Sequence, residues 1–161
     1  VHSLFASTDD WDDQLESFES GWPAFFEVLR VYLADFAGQP ATSFSAFARA
    51  EGDQRSVWRD LTGRLGLVDG NVGADWQMSS GPEILSGTVV RVRQDLIQRF
   101  TLIRLAAPAP GVALIGSYDR GEFISVSLSL YFYGPHALEV AGTREARWRA
   151  WLAGVYPAAP S

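Results

Sequence analysis

Phe123-Ile124-Ser125-Val126-Ser127-Leu128-Ser129-Leu130-Tyr131-Phe132-Tyr133 alternates aliphatic or aromatic residues with serine and tyrosine. A period of two is the signature of a β-strand with one buried and one polar face, so a single face of this strand is expected to enter the core. Upstream, Leu85 to Arg93 and Ile97 to Leu105 are rich in branched residues and separated by a short turn, which predicts an antiparallel pair. Val112 to Tyr118 follows the Ala107-Pro108-Ala109-Pro110-Gly111 connector, and the turn Asp119-Arg120-Gly121 leads into the strand that starts at Phe123.

Downstream, Gly134-Pro135 ends the strand, and Pro135 suits the first turn of a helix. Leu138, Ala141, Trp148, Leu152 and Val155 then recur at helical spacing, a core-facing stripe of one long terminal helix. Further upstream, Ala41 to Ala48 reads as a strand. Gly52-Asp53 opens a short helix with Val57, Trp58, Leu61 and Leu65 on its apolar face, and Gly66 is suited to cap it. Residues 68 to 82 lack periodicity and form a long connection that Trp76 and Met78 are expected to pin down. Strands flanked by helices give an α+β class: a curved antiparallel sheet gripping a C-terminal helix, preceded by an N-terminal helical segment.

That segment, Asp9 to Gly38, carries Trp11, Leu15, Phe18, Trp22, Phe25, Leu29, Tyr32 and Phe36 on one helical face. Pro23 predicts a kink or a break at Gly21-Trp22-Pro23, leaving one bent helix or two. A stripe this apolar must dock, either on the domain's own sheet or across a homodimer, and the dimer is the expectation.

Composition narrows the function. At 161 residues the chain has the length of about one ordinary domain. It has no cysteine, which removes disulfides and thiolate chemistry and fits a cytoplasmic location. All 13 cationic side chains are arginine, which we attribute to a GC-rich genome. The lack of lysine removes Schiff-base chemistry and a phosphate-loop lysine. A net charge of −6 argues against a nucleic-acid partner, and no apolar run is long enough to span a membrane.

No catalytic motif is visible. His2 and His136 are too few for a histidine metal site, so neither a metal nor a cofactor is expected. His136 is read as a surface or capping residue. Ser125, Ser127 and Ser129 are read as the polar face of a strand, and Glu83, Asp95, Asp119 and Glu122 as turn and edge residues. Arg91, Arg93, Arg99 and Arg104 on consecutive strands either line a solvated face or gather near an anionic ligand. Trp58, Trp76, Tyr118, Phe132, Trp148 and Trp151 are many large rings for one small domain, and either fill the core or wall a pocket.

Three stretches, in this order, resemble the START-like (helix-grip) superfamily of the polyketide-cyclase and ATPase-activator-like type. They are Ser56-Val57-Trp58-Arg59-Asp60-Leu61, Val126-Ser127-Leu128-Ser129-Leu130-Tyr131 and Arg147-Trp148-Arg149-Ala150-Trp151-Leu152. The resemblance covers residues 41–161. It implies a small hydrophobic or amphipathic ligand between sheet and terminal helix; the excess of large rings then suggests Trp76, Met78, Tyr118 and Trp148 as ligand-binding residues, and the absence of a catalytic motif suggests binding rather than catalysis. The same resemblance admits a chaperone-linked adaptor, and more remotely an enzyme of the cyclase type. Gly21-Trp22-Pro23-Ala24-Phe25-Phe26 with Leu29 and Leu33 also looks like the end of such a domain. Residues 1–40 are therefore expected to be the last helix of an upstream copy, in keeping with a chain that starts at Val1 rather than methionine.

Overall fold

The computed structural model describes residues 22–67, 71–78 and 80–157. The readings that fall on residues 9–21, including Trp11, Leu15 and Phe18, and on His2 lie outside them. In chain order the elements are a helix over 22–31 that closes in a π-turn at Tyr32–Phe36 (together α1), β1 (Ala41–Ala50), α2 (Gln54–Leu65), β2 (Asp75–Gln77), β3 (Ser86–Gln94), β4 (Gln98–Ala107), β5 (Gly111–Asp119), β6 (Ile124–Tyr133), α3 (Ala137–Gly142) and α4 (Arg144–Val155). The architecture is α+β: a curved, six-stranded antiparallel sheet in the order β1-β6-β5-β4-β3-β2, with helices on both sides.

The strand that decides the fold is central. β6 pairs with β1 from Ala41↔Tyr133 to Ala50↔Ile124, and with β5 from Gly111↔Phe132 to Asp119↔Ile124. Its Val126, Leu128, Leu130 and Phe132 enter the main core, where they meet Leu61 and Leu65 of α2 and Trp148 and Leu152 of α4, all fully buried. Each such side chain contributes about 1.5–3 kcal/mol by leaving water.

The opposite face of β6 is not solvated, contrary to the reading of one buried face. α1 lies across it. Ala24, Val28 and Phe36 form a second cluster with Phe100, Leu102, Val112, Leu114 and Tyr133. Phe36 stacks on the Tyr133 ring at 4.4 Å between centroids, and Tyr32 approaches the same ring at 5.4 Å. Serine can be buried on this face because its hydroxyl is satisfied within the sheet, as that of Ser129 is with Ser45 across β6 and β1 at 2.7 Å. Ion pairs Arg91–Glu27 at 3.6 Å and Arg104–Asp35 at 3.1 Å flank the helix.

The buried side of α1 also differs from the expected stripe. Trp22, Phe25 and Leu29 are exposed, together with Phe26 and Leu33. A helix lying flat on a sheet approaches most closely along its smallest residues, here Ala24 and Val28, and the larger rings are left on the far side.

α2 has the caps its sequence implies. Asp53 accepts the Ser56 backbone N–H at 3.0 Å, and Gly66, at φ 72°, turns the chain so that Leu67 N–H reaches Thr62 O at 2.8 Å. The connection over 68–82 contains β2, too short to show a period. Trp76 pins it by donating its indole N–H to Leu65 O at 2.8 Å. The terminal helix is bent into α3 and α4 at Thr143. Ala137 and Ala141 take the inward positions of α3 and Leu138 is exposed, because the turn after Gly134 brings α3 too close to the sheet for a larger side chain.

Four of the five tyrosines are held above the ordinary phenol range by this packing. Burial pushes Tyr133 up to about 12. It also raises Tyr118 and Tyr131, against hydrogen bonds from the sheet serines that pull the other way. Tyr156 is raised by burial and then by its bond to the Asp60 carboxylate, 2.9 Å away. Folding thus favours the neutral phenols. Their contribution is complete below the unfolded value of about 10 and is lost as pH rises through the folded values. With no lysine or cysteine side chain to titrate in that window, the urea midpoint is expected to hold to about pH 10 and to fall between about pH 10 and 12. Phenolate absorbance at 295 nm should lag behind that of free tyrosine. A midpoint unchanged across that range would remove the burial argument.

Candidate functional site

A cleft of about 660 Å³ opens between α2 and the β3–β4 end of the sheet, on the main-core face. One wall is a strip of α2. Gln54 fixes the start of this helix by donating its amide to Ser117 O at 2.9 Å and Ile97 O at 3.2 Å. With that end anchored, Arg55, Trp58, Arg59 and Thr62, at successive helical steps, border the cleft. Trp58 is buried, so its ring is a wall and not a flap.

The floor depends on a β-bulge. Val89 pairs with Ile103 and Arg91 with Leu102, which leaves Val90 as the extra residue. Strict alternation would aim Val92 away from the main core. The bulge instead keeps Val90 and Arg91 on the α1 side, where Val90 packs and Arg91 meets Glu27, and returns Val92 and Gln94 to the cleft. From β4, Arg99 and Thr101 complete the floor opposite them. Arg99 donates from Nη1 to Gln94 Oε1 at 3.1 Å, and its Nε is buried with no partner.

Of the four strand arginines considered from sequence, Arg91 and Arg104 lie against α1 and Arg93 binds Asp95 at 2.8 Å, so only Arg99 reaches this cleft. Arg55 and Arg59, which complete the cationic border, were not among the sequence candidates. Their signal was present in the four-residue spacing around Trp58; the bulge that brings β3 and β4 beneath them was not readable.

The expected ligand residues lie elsewhere. Trp76, Met78 and Trp148 share the main core. Met78 and Trp148 meet beneath Gly81, where an added Cβ would come 1.7 Å from Met78 Cε and 3.8 Å from Trp148 Cη2. Trp148 donates its indole N–H to Glu83 Oε1 at 2.8 Å, and Arg144 Nε reaches Glu83 Oε2 at the same distance. Tyr118 is not brought to this group. It points to the other face of the sheet, its hydroxyl over Gly116, where a Cβ would be 2.8 Å away.

Of the acidic candidates, Glu83 thus ties its loop to the terminal helix, whereas Asp95 and Asp119 have local roles: Asp95 accepts the Ile97 and Gln98 amides and Asp119 accepts that of Gly121. His136 is exposed beside Glu139 at 3.7 Å and makes no side-chain cap. Among the described residues no group of three His, Asp or Glu side chains is arranged to hold a metal ion, and no helix is long and apolar enough to cross a membrane.

Sheet, helices and cleft define an α+β protein with an antiparallel sheet covered on both sides. In fold it is similar to a structural-genomics protein from Mesorhizobium loti, with a TM-score of 0.50 and 13% identity over 66% of this chain and 88% of that one. A protein of the dynemicin biosynthetic locus aligns at 12% identity and a TM-score of 0.42, over 73% of this chain and 49% of its own. At such identities the likeness concerns fold alone. No family model matches the sequence, and no curated protein does.

Proposed function

We propose that this chain is a binding module for a small amphipathic molecule, held in the cleft between α2 and β3–β4. The observation that supports this is the cleft itself: its volume of about 660 Å³ lies in the range of ordinary ligand sites, and it joins an indole wall to a polar border. Between the sheet and α4, by contrast, Trp148 and Leu152 are fully buried, which favours the α2 side. The order of strand, helix, antiparallel strands and terminal helices supports a START-like reading, in which small-molecule binding is a common task and a chaperone-linked adaptor is the alternative. A cysteine-free chain suits the cytoplasm.

The test is a titration with octanoate and 1-octanol followed by amide NMR. Saturable shifts are expected at Trp58, Val92 and Thr101, and Val72→Trp, which fills the mouth from an exposed position, should weaken binding about tenfold or more. Shifts confined to α1 or to the α4 side, or none at all, would reject the cleft.

The exposed face of α1 favours a second property, association with another copy of the chain. Trp22, Phe25, Phe26, Leu29 and Leu33 form one patch, with Trp22 stacked on Phe26 at 5.5 Å. At roughly 100 Å² each they offer ~500 Å² per copy, and a symmetric pair of such patches reaches ~1,000 Å², the lower bound for a specific interface and the range of weak association. Light scattering at micromolar concentration should report a dimer that Phe26→Glu with Leu33→Glu converts to monomer. A monomeric parent chain would exclude it.

A further inference from the structure

The arginines around the cleft differ from the other arginines of β3 and β4. Arg91, Arg93 and Arg104 each face a carboxylate. Arg55, Arg59 and Arg99 form no ion pair among the described residues, and all three border the same cavity. Arg55 and Arg59 stand one turn apart on α2 with Trp58 between them, and Arg99 faces them from β4. The Arg99 Nε–H is buried without an acceptor. The rest of the guanidinium borders the cleft and is held in place from Nη1 by Gln94. A guanidinium fork matches two oxygens of a carboxylate or phosphate, and the match is strongest where water is excluded.

Building on the reading of this cleft as a binding site, the geometry points to an amphipathic oxyanion as its ligand class: a carboxylate or phosphate head held by Arg55, Arg59 and Arg99, with an apolar tail against Trp58 and Val92. The chain's net charge of −6 makes three uncompensated cations in one cavity a local reversal of sign. That reversal discriminates between ligands of equal apolar size. A neutral ligand gains the indole wall but leaves the three guanidinium groups without a counter-charge.

The experiment compares octanoate, octyl phosphate and 1-octanol, each below its micelle concentration, on the full chain. At least one oxyanion is expected to bind about tenfold or more tightly than octanol, and the Arg99 Nε–H resonance should shift with it. Octanoate ahead of octyl phosphate assigns a carboxylate head, and the reverse order a phosphate. Arg99→Gln should remove most of the preference without weakening octanol, while Arg147→Gln, an exposed control outside the cleft, should leave all three affinities unchanged. Octanol equalling both oxyanions at the cleft, or a preference that survives Arg55→Gln, Arg59→Gln and Arg99→Gln together, overturns the oxyanion class and leaves the binding site standing. Failure of all three ligands to bind overturns both.

Discussion

Trp148→Ala is expected to destabilise the fold by about 3–5 kcal/mol, enough to lower the urea midpoint severely or leave the chain unfolded. The ring is fully buried between α4 and the sheet and packs edge-on against Trp151 at 5.6 Å. Truncation would open a cavity where the described residues leave none of the indole exposed. It would also remove the donor at 2.8 Å from Glu83 Oε1. Glu83 lies mostly out of solvent and would keep only Arg144 as its partner there, so an unpaired carboxylate oxygen adds to the cavity. Trp148→Phe separates the two effects: it refills most of the volume and lacks the N–H, so it should fall between the parent and Trp148→Ala in equilibrium unfolding. An alanine variant within about 1 kcal/mol of the parent would show that α4 is not the lid of the core described above.

Gly87→Ala should cost about 3 kcal/mol, a large effect for one methyl group. A Cβ at residue 87 would stand 2.1 Å from Arg104 O and 3.0 Å from Leu105 Cα. Both are backbone atoms of β4, so no side chain can rotate aside. The strands must part. Gly87 also pairs with Trp76, so the displacement would pass to β2 and to the indole that holds Leu65 O at the end of α2. Gly121→Ala is a useful contrast: it has open space around the added methyl but a φ of 82°, and it tests backbone conformation without strand contact. A Gly87→Ala urea midpoint equal to that of the parent would show that β3 and β4 can separate at no cost.

The parts of this fold readable from sequence are those whose signals are local. The alternation from Ile124 to Tyr133, the glycine at position 66 and Asp53 three residues before Ser56 each state a backbone requirement within a few residues, and each is met. What could not be read depends on distant neighbours. Nothing within Ser125 to Tyr133 tells that α1 packs on the Tyr133 end of this face; that is settled by Phe36 and Tyr32 some hundred residues earlier. The same holds for the cleft. Arg55 and Arg59 look like ordinary surface charges of a helix until the extra residue Val90 turns Val92 and Gln94 beneath them. Tyr118 and Trp148 are both large rings and look alike in sequence, but residue parity along β5 sends Tyr118 to the other side of the sheet.

The β1–β6 ladder orders the assembly of the chain in time. β3, β4, β5 and β6 pair with sequence neighbours through short turns, whereas Ser45 meets Ser129 across 84 residues. Closing so long a loop costs chain entropy before any contact rewards it, so β1 is expected to join only after β5 and β6 offer it a finished edge. α1 leads directly into β1 and rests on β4, β5 and β6, so it has no surface to settle on until those strands are in place. The part of the described chain made first is thus expected to fold last, and until it settles Phe100, Leu102, Val112 and Leu114 remain open to water.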